Sequence, residues 1–441
     1  MRRYLIVFLL LVLALGAAAV APAVAQSGHV GADAFEAAYL LITREHLSPA
    51  APRDLLRGAA AGLEAYLRGR GLPPQPLVLS GHEGRDLEAV RAAVIAVGRR
   101  LGSAAAERDA GYAAIEGMLR VLGDPFTRLL LPGSGRGEAR PGGYSGVGVV
   151  LDLEVRPPMV VEVIDGSPAQ RAGLRRGDLI MEIDGRPTLT MPPEEVIGRL
   201  RGLPGTSVVI RVRRSGAELT VTLVRELIGL RQTAFRLWGT VGYLRLEEFA
   251  AGAGEEVVAV TAELQRRGAR GLILDLRGNP GGFLDEAVAV ASVFLQQGTV
   301  AVLVGREGRR TRLDASPGGF KFTGAVVVLV DGRTASAAEM VAGAVADAGR
   351  PVVGKRTFGK GTVQELRRLP GGAVLQLTVA QYLTPSGASV EGRGILPQVE
   401  VETEEATFGT DDDRVIQTAR RWLETRLGAL LLRAAQEGIL S

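Results

Sequence analysis

Two short segments hold the side chains best suited to covalent chemistry. Ser336 lies in Thr334-Ala335-Ser336-Ala337-Ala338-Glu339, just after the apolar run Val326–Val330 and the turn Asp331-Gly332-Arg333. Lys360 lies in Phe358-Gly359-Lys360-Gly361-Thr362-Val363-Gln364. A serine hydroxyl needs a base to become a nucleophile, and the composition narrows the choice. The chain of 441 residues has no Cys and only three His, at positions 29, 46 and 82. Thiol chemistry is therefore excluded, and a Ser-His-Asp triad would have to borrow a His from the first 82 residues. No His/Cys/carboxylate cluster has zinc spacing, so no metal and no cofactor is expected. A lysine amine remains as the base. Lys is rare here, at positions 321, 355 and 360 only, against 49 Arg. Arg supplies charge but cannot lose its proton in a protein, so a retained Lys stands out.

Each residue also has a plain structural reading. Ser336-x-x-Glu339 fits a capping box, so Ser336 could simply cap the helix it opens. Lys360 could be an exposed loop cation. To act as a base near neutral pH its pKa must fall by ~3 units from ~10.4, or ~4 kcal/mol. Flanking Phe358 and Val363 supply apolar surroundings, and Gln364 is placed to orient the amine. The stretch Gly354-x-x-x-x-Gly359-Lys360 is a near-miss of a P-loop, but Gly361 stands where Ser or Thr would bind Mg²⁺ and a strand follows instead of a helix.

The elements that must position these residues follow an α/β pattern over 227–404. The alternation predicts strands Val241–Leu246, Leu272–Leu276, Ala325–Val330 and Pro351–Val353, with helices Gly254–Arg267, Leu284–Gln296 and Ala337–Ala348 between them. Strands Val363–Arg368 and Val374–Tyr382 come next. Residues 30–132 read as helical, with apolar spacing over Asp33–Glu45, Asp54–Arg70, Asp86–Leu101 and Ala105–Leu122. Leu56–Leu63 weakly echoes Tyr112–Met118, which two Ala-rich helices would also explain. Gly133–Gly143 reads as a linker, and 142–226 as a small β-rich domain whose first strand spans Tyr144–Leu153. An amphipathic helix, Arg414–Arg433, occupies the closing segment 410–441. At the other end, Arg2-Arg3, an uncharged run and Ala23-Val24-Ala25 mark residues 1–25 as an export signal or, uncleaved, a membrane anchor. The expected location is outside the cytoplasm, in the periplasm, envelope or medium. The net charge of +4 is small and the basic residues are scattered, so nucleic acid is not an expected partner.

The run Asp165-Gly166-Ser167-Pro168-Ala169-Gln170-Arg171-Ala172-Gly173-Leu174-Arg175-Arg176-Gly177-Asp178-Leu179-Ile180 resembles a PDZ domain. That resemblance implies capture of a peptide C-terminus by strand addition, with backbone amides of Ser145, Gly146, Val147 and Gly148 holding the carboxylate. Arg201 near the domain exit reads as a solvated surface residue or as a sensor of the loaded state. Further motifs occur in order: Gly123-Asp124-Pro125-Phe126-Thr127, Asp275-Leu276-Arg277-Gly278-Asn279-Pro280-Gly281-Gly282, the Ser336 and Lys360 segments, and Tyr382-Leu383-Thr384-Pro385-Ser386-Gly387. Together they resemble the carboxyl-terminal processing, or tail-specific, proteases over roughly residues 105–425. The resemblance implies Ser336 as nucleophile, Lys360 as general base, Gln364 as the residue that positions it, and the amides of Gly282 and Ala337 as the oxyanion hole. It implies a multi-domain α/β fold: a helical N-terminal region, a PDZ domain, a crotonase/ClpP-like core and a C-terminal helix. It also implies protein substrates with accessible C-terminal tails, delivered directly or by an adaptor, and precedent for a homodimer. Ala338 and Gln398 depart from the family's usual Ser and Asp, the Ser336–Lys360 spacing is one residue short, and residues 30–105 are longer than usual. A PDZ adaptor on an inactive core is the alternative from another functional class.

Overall fold

The computed structural model describes residues 28–436, apart from 74–75, 132–143, 154, 165, 203–204, 229–232 and 403. The expected export segment 1–25 and the linker Gly133–Gly143 lie outside the described residues. In chain order the elements are helices α1 (Val30–Glu45), α2 (Pro52–Gly69), α3 (Glu83–Leu101) and α4 (Ala104–Leu122), then strand β1 (Arg128–Leu130). Next come β2 (Tyr144–Gly146), β3 (Val149–Asp152), β4 (Met159–Val163), α5 (Pro168–Arg171), β5 (Leu179–Ile183), β6 (Arg186–Pro187), α6 (Pro193–Leu200), β7 (Ser207–Arg214), β8 (Ala217–Val224) and β9 (Glu226–Ile228). They are followed by β10 (Thr233–Trp238), β11 (Val241–Leu246), α7 (Ala253–Arg266), β12 (Gly271–Asp275), α8 (Leu284–Phe294), β13 (Thr299–Gly305), β14 (Arg310–Asp314) and β15 (Ala325–Val330). The last are α9 (Ala337–Asp347), β16 (Val352–Gly354), β17 (Thr362–Arg368), β18 (Val374–Leu383), β19 (Val399–Glu400) and α10 (Arg414–Gln436).

The backbone divides into two compact units, both discontinuous in sequence. The first joins Met1–Gly137 with Thr299–Asp314 and Gly359–Gly394; the second holds Glu138–Gly298, Ala315–Phe358 and Ile395–Ser441. The α/β stretch expected over 227–404 thus contributes to both.

In the first unit, α1 to α4 pack on an antiparallel sheet. Strand β17 covers one edge of β18, while β1 and β13 share the other, with β14 beyond β13. Phe35, Leu55, Ile115 and Met118 of the helices meet Leu375 and Leu377 of β18 in one apolar core. Burying such side chains is the main stabilising term. The two echoing helices, α2 and α4, touch backbone to backbone. A methyl group on Gly117 would lie 2.1 Å from the Gly58 carbonyl oxygen. Only glycine permits that approach, which accounts for the shared small-residue pattern.

In the second unit, β3-β4-β5-β7-β8 form the PDZ sheet, with β6 on β5. Val147, Val160, Ile180, Ile183, Val196 and Ile210 fill its core. The single strand expected over Tyr144–Leu153 is broken. The Val147 carbonyl turns to accept Ala169 N–H (2.9 Å), Gly148 sits at φ 81°, and β2 pairs with β9 instead. The other sheet runs β10-β11-β12-β15-β16-β19, parallel except for β10 against β11. Strands β12 and β15 are buried on both faces, as their continuous apolar runs require. Helix α10 packs on this sheet through Val415, Ile416, Ala419 and Leu423. Gln398 has a role after all: its side chain accepts Val352 N–H (2.6 Å) and its own N–H bonds the Val352 carbonyl (2.9 Å), docking β19 beside β16.

Candidate active site and peptide groove

Ser336 stands at the turn between the buried strand β15 and α9. Its backbone is at φ 56°, ψ −119°, a region that side-chain-bearing residues avoid. Holding it there costs about 1–3 kcal/mol, so surrounding bonds must impose it. Three hydrogen bonds join this turn to the one after β12. Asp331 Oδ1 accepts Gly278 N–H (2.9 Å), Thr334 Oγ1 donates to the Leu276 carbonyl (2.9 Å), and Ala335 N–H donates to the Asn279 carbonyl (2.9 Å). Asn279 also fixes its own turn, donating to the Leu246 carbonyl (2.9 Å) and accepting Gly281 N–H (2.8 Å).

The glycines of that turn are dictated by contact. A methyl group on Gly281 would lie 2.8 Å from Ser336 Cβ and 2.9 Å from Ala337 N; one on Gly282 would lie 2.2 Å from the Phe249 carbonyl oxygen. Gly282 and Ala337 are thereby brought to Ser336. Among the described residues their N–H groups have no partner. The 11-residue helix α9 directs its N-terminal partial positive charge to the same place.

The capping box anticipated at Ser336 is present. Glu339, wholly buried, accepts Ser336 N–H (2.8 Å) and Thr357 Oγ1–H (2.5 Å), and Thr357 in turn accepts Ile395 N–H (2.6 Å). Behind the glycine turn, Arg277 is wholly buried. It pairs with Asp275 (2.6 Å) and Asp413 (2.9 Å) and lies 4.5 Å from the Phe408 ring centroid. Burial pulls its pKa down, but the two carboxylates outweigh that and hold it above the ordinary value. Tyr243 donates to Asp275 (2.9 Å), and burial with that carboxylate raises its pKa.

Lys360 and Gln364 belong to the first unit. Lys360 is half-buried at the entry to β17, with Nζ 4.9 Å from the Phe126 ring centroid. Its carbonyl accepts the Tyr382 hydroxyl (3.1 Å), and the next residue, Gly361, donates its N–H to Glu391 (2.6 Å). Gln364 donates to the hydroxyls of Thr362 (3.0 Å) and Thr378 (3.2 Å).

The PDZ groove is an apolar cleft of about 300 Å³ between β3 and α6. Of the four residues assigned by resemblance, Val147 and Gly148 line it; Ser145 and Gly146 lie in β2, paired with β9. Ile197, Leu200 and Arg201 complete the wall. The helical spacing of Val196, Ile197 and Leu200 was the sequence signal for these, and Ile197, left exposed beside the core residues, was the one to notice. Arg201 is therefore a groove residue. Strand β3 is the edge strand of the PDZ sheet, and Val149, Val150 and Leu151 of it line the cleft.

A PDZ sheet joined to a parallel sheet, with a strained serine between strand and helix, defines a PDZ-bearing serine-type peptidase class. The sequence comparisons agree. Residues 240–401 match Peptidase family S41 and residues 159–214 match a PDZ domain. A carboxyl-terminal-processing protease of Synechocystis is 39% identical over 307 residues, covering 67% of this chain and 72% of the relative. One from Picosynechococcus is 40% identical over 329 residues, covering 71% and 78%. The solved photosystem II D1 C-terminal processing protease is 26% identical, with a TM-score of 0.49 over 86% of this chain and 94% of that one. The chain belongs to peptidase family S41, with the carboxyl-terminal-processing proteases.

Proposed function

We propose that the chain is a serine endopeptidase that recognises C-terminal tails of exported proteins in its PDZ groove and cleaves them with a Ser336–Lys360 dyad. Neutral Lys360 takes the Ser336 proton as Oγ adds to the scissile carbonyl. The amides of Gly282 and Ala337 receive the developing oxyanion. Lys360 then protonates the leaving amine; water, deprotonated by the again-neutral Lys360, adds to the acyl carbonyl, and Lys360 returns that proton to Ser336 Oγ as the acyl group leaves. The observation that carries this reading is the strained Ser336 beside two N–H groups that have no partner among the described residues. Pairing with Lys360 rests on the motif order and on a composition with no Cys and no His after residue 82. Gln364 fits its role, since two threonines engage its amide nitrogen and leave its carbonyl to accept from an ammonium. Export rests on the residue pattern of 1–25.

The test is cleavage of casein, with and without an apolar C-terminal tail, by the parent chain, Ser336→Ala and Lys360→Ala from pH 6 to 10. Loss of cutting in both variants, with preference for the tailed substrate, is the expected result. Normal cutting by Lys360→Ala overturns the dyad. A silent parent that also resists a fluorophosphonate label on Ser336 would favour the adaptor reading.

A further inference from the structure

The Phe126 ring is a side-chain neighbour of Lys360 that can hold an ammonium without being able to take its proton. The ring centroid lies 4.9 Å from Nζ, within the range where an aromatic quadrupole attracts a cation. A carboxylate in that place would raise the amine pKa and compete for its proton; a ring orients the group and leaves its nitrogen lone pair for a hydroxyl.

Several hydrogen bonds, most of them partly buried, hold the turn that carries this ring. Asp124 Oδ1 accepts Phe126 N–H (2.9 Å), and its Oδ2 accepts Thr127 Oγ1–H (2.6 Å) and bonds His46 Nε2 (3.1 Å). Ser48 N–H donates to His46 Nδ1 (3.0 Å), which fixes the imidazole as the Nε2–H tautomer and lets it donate to Asp124. Gln376 Nε2 donates to the Phe126 carbonyl (3.1 Å), and Thr127 accepts Thr378 N–H (3.0 Å). The Gly-Asp-Pro-Phe-Thr turn is thus a rigid mount for one aromatic face.

We propose that Phe126 is a positioning residue for Lys360, fixing the direction of the amine and setting the pH at which its neutral form appears. This rests on Lys360 acting as the general base. The ring has two opposed effects. It displaces water, which favours the neutral amine, and its quadrupole favours the ammonium. Leucine retains the first and loses the second. The titratable groups on the surrounding elements of this unit include Glu391 at Gly361 N–H, Tyr382 at the Lys360 carbonyl, and the His46–Asp124 pair behind the turn. All remain in place in the variants below.

The chain's three lysines make a direct measurement practical. Full-length protein carrying ε-¹³C-lysine gives three signals, assigned with Lys321→Arg and Lys355→Arg. The Lys360 midpoint should fall by about half a pH unit or more in Phe126→Leu, hold in Phe126→Tyr and rise in Phe126→Trp. The ascending limb of the casein pH–kcat profile should move in the same order, with KM for the tailed substrate unchanged. Equal midpoints in the Leu, Tyr and Trp variants would overturn the proposal, reducing Phe126 to packing. If the midpoints move but the rate profile does not, the ring tunes an amine that is not the base, and the dyad reading fails instead. Should Phe126→Leu not fold, the Tyr and Trp pair still decides: identical Lys360 midpoints there refute the idea.

Discussion

Asp413 offers a sharp test of how the second unit holds its glycine turn. Its carboxylate pairs with the wholly buried Arg277 (2.9 Å) and is itself buried. It also begins α10, accepting Val415 N–H (2.9 Å), and it accepts Gly409 N–H (2.9 Å). Asp413→Asn keeps oxygen for the cap but removes the charge. Breaking a buried pair costs about 3–5 kcal/mol, because the surviving charge is left uncompensated. Asp275 still holds Arg277 on its other side, so the lower end applies, about 3 kcal/mol. Asp413→Ala also loses the cap, adding about 1 kcal/mol. Both tryptophans, Trp238 and Trp422, lie in the second unit, so fluorescence during urea unfolding reads that unit alone. With a slope of about 1–3 kcal/mol/M, the Asn variant should unfold about 1–3 M earlier. Asp412→Asn, next door but exposed, should stay within about 0.5 kcal/mol of the parent. An Asp413→Asn midpoint equal to that of Asp412→Asn would refute the argument, since the buried cation would then not need its second carboxylate.

Other consequences are as direct. Gly117→Ala should destabilise the first unit by about 1–3 kcal/mol or more, because its methyl would lie 2.1 Å from the Gly58 carbonyl oxygen; circular dichroism at 222 nm during unfolding checks it. Ile197→Asp should weaken binding of an apolar C-terminal peptide by about tenfold or more, read by fluorescence anisotropy in Ser336→Ala protein, with fluorophosphonate labelling of the otherwise wild-type enzyme unchanged. Burial raises the pKa of Asp178, but its fork to Arg214 (2.7 and 2.8 Å) outweighs that and lowers it below the ordinary value. A depressed folded pKa stabilises above the unfolded value of about 3.9 and is lost as pH falls through the folded one. PDZ unfolding below about pH 4 should therefore be less steep in Asp178→Asn, as hydrogen exchange would show. Glu339→Ala should lower kcat at least about tenfold without changing tail affinity, since it frees Ser336 N–H and Thr357 from one buried anchor; unchanged kcat would show that the glycine turn alone holds Ser336.

What the sequence disclosed follows from how locally each feature is encoded. Strand Ala325–Val330 falls where its continuous apolar run between turn residues places it, because a strand buried on both faces leaves no polar alternation to misread. Strand β10 escaped notice because its central residues face solvent at a sheet edge, and β14, Arg-Thr-Arg-Leu-Asp, reads as a polar loop until β13 pairs with it. The partition into two units was not legible either. It depends on Leu375 and Leu377, far along the chain, completing a core begun by Phe35 and Leu55, and no window of sequence contains both halves of that contact. The same holds for the site. The motif glycines were visible, but their cause, the Phe249 carbonyl and the Ser336 Cβ pressed against them, lies 30 to 60 residues away.

The capping box and the nucleophile looked like rival explanations of Ser336 because both use the same letters, Ser-x-x-Glu. On the proposed reading they are parts of one device. An ordinary N-cap residue rests in the extended region and needs no strain to receive its hydrogen bonds. Ser336 receives them at φ 56°, a conformation with a cost that capping alone does not require. The Thr334–Ala335 peptide before Ser336 is held at both of its groups, the Ala335 N–H by the Asn279 carbonyl and the Thr334 carbonyl by Phe358 N–H (3.0 Å), and Glu339 locks the next amide, that of Ser336. A serine meant only to begin a helix would gain nothing from this. On the proposed reading, a serine that must present its Oγ beside the amides of Gly282 and Ala337 needs each of these bonds.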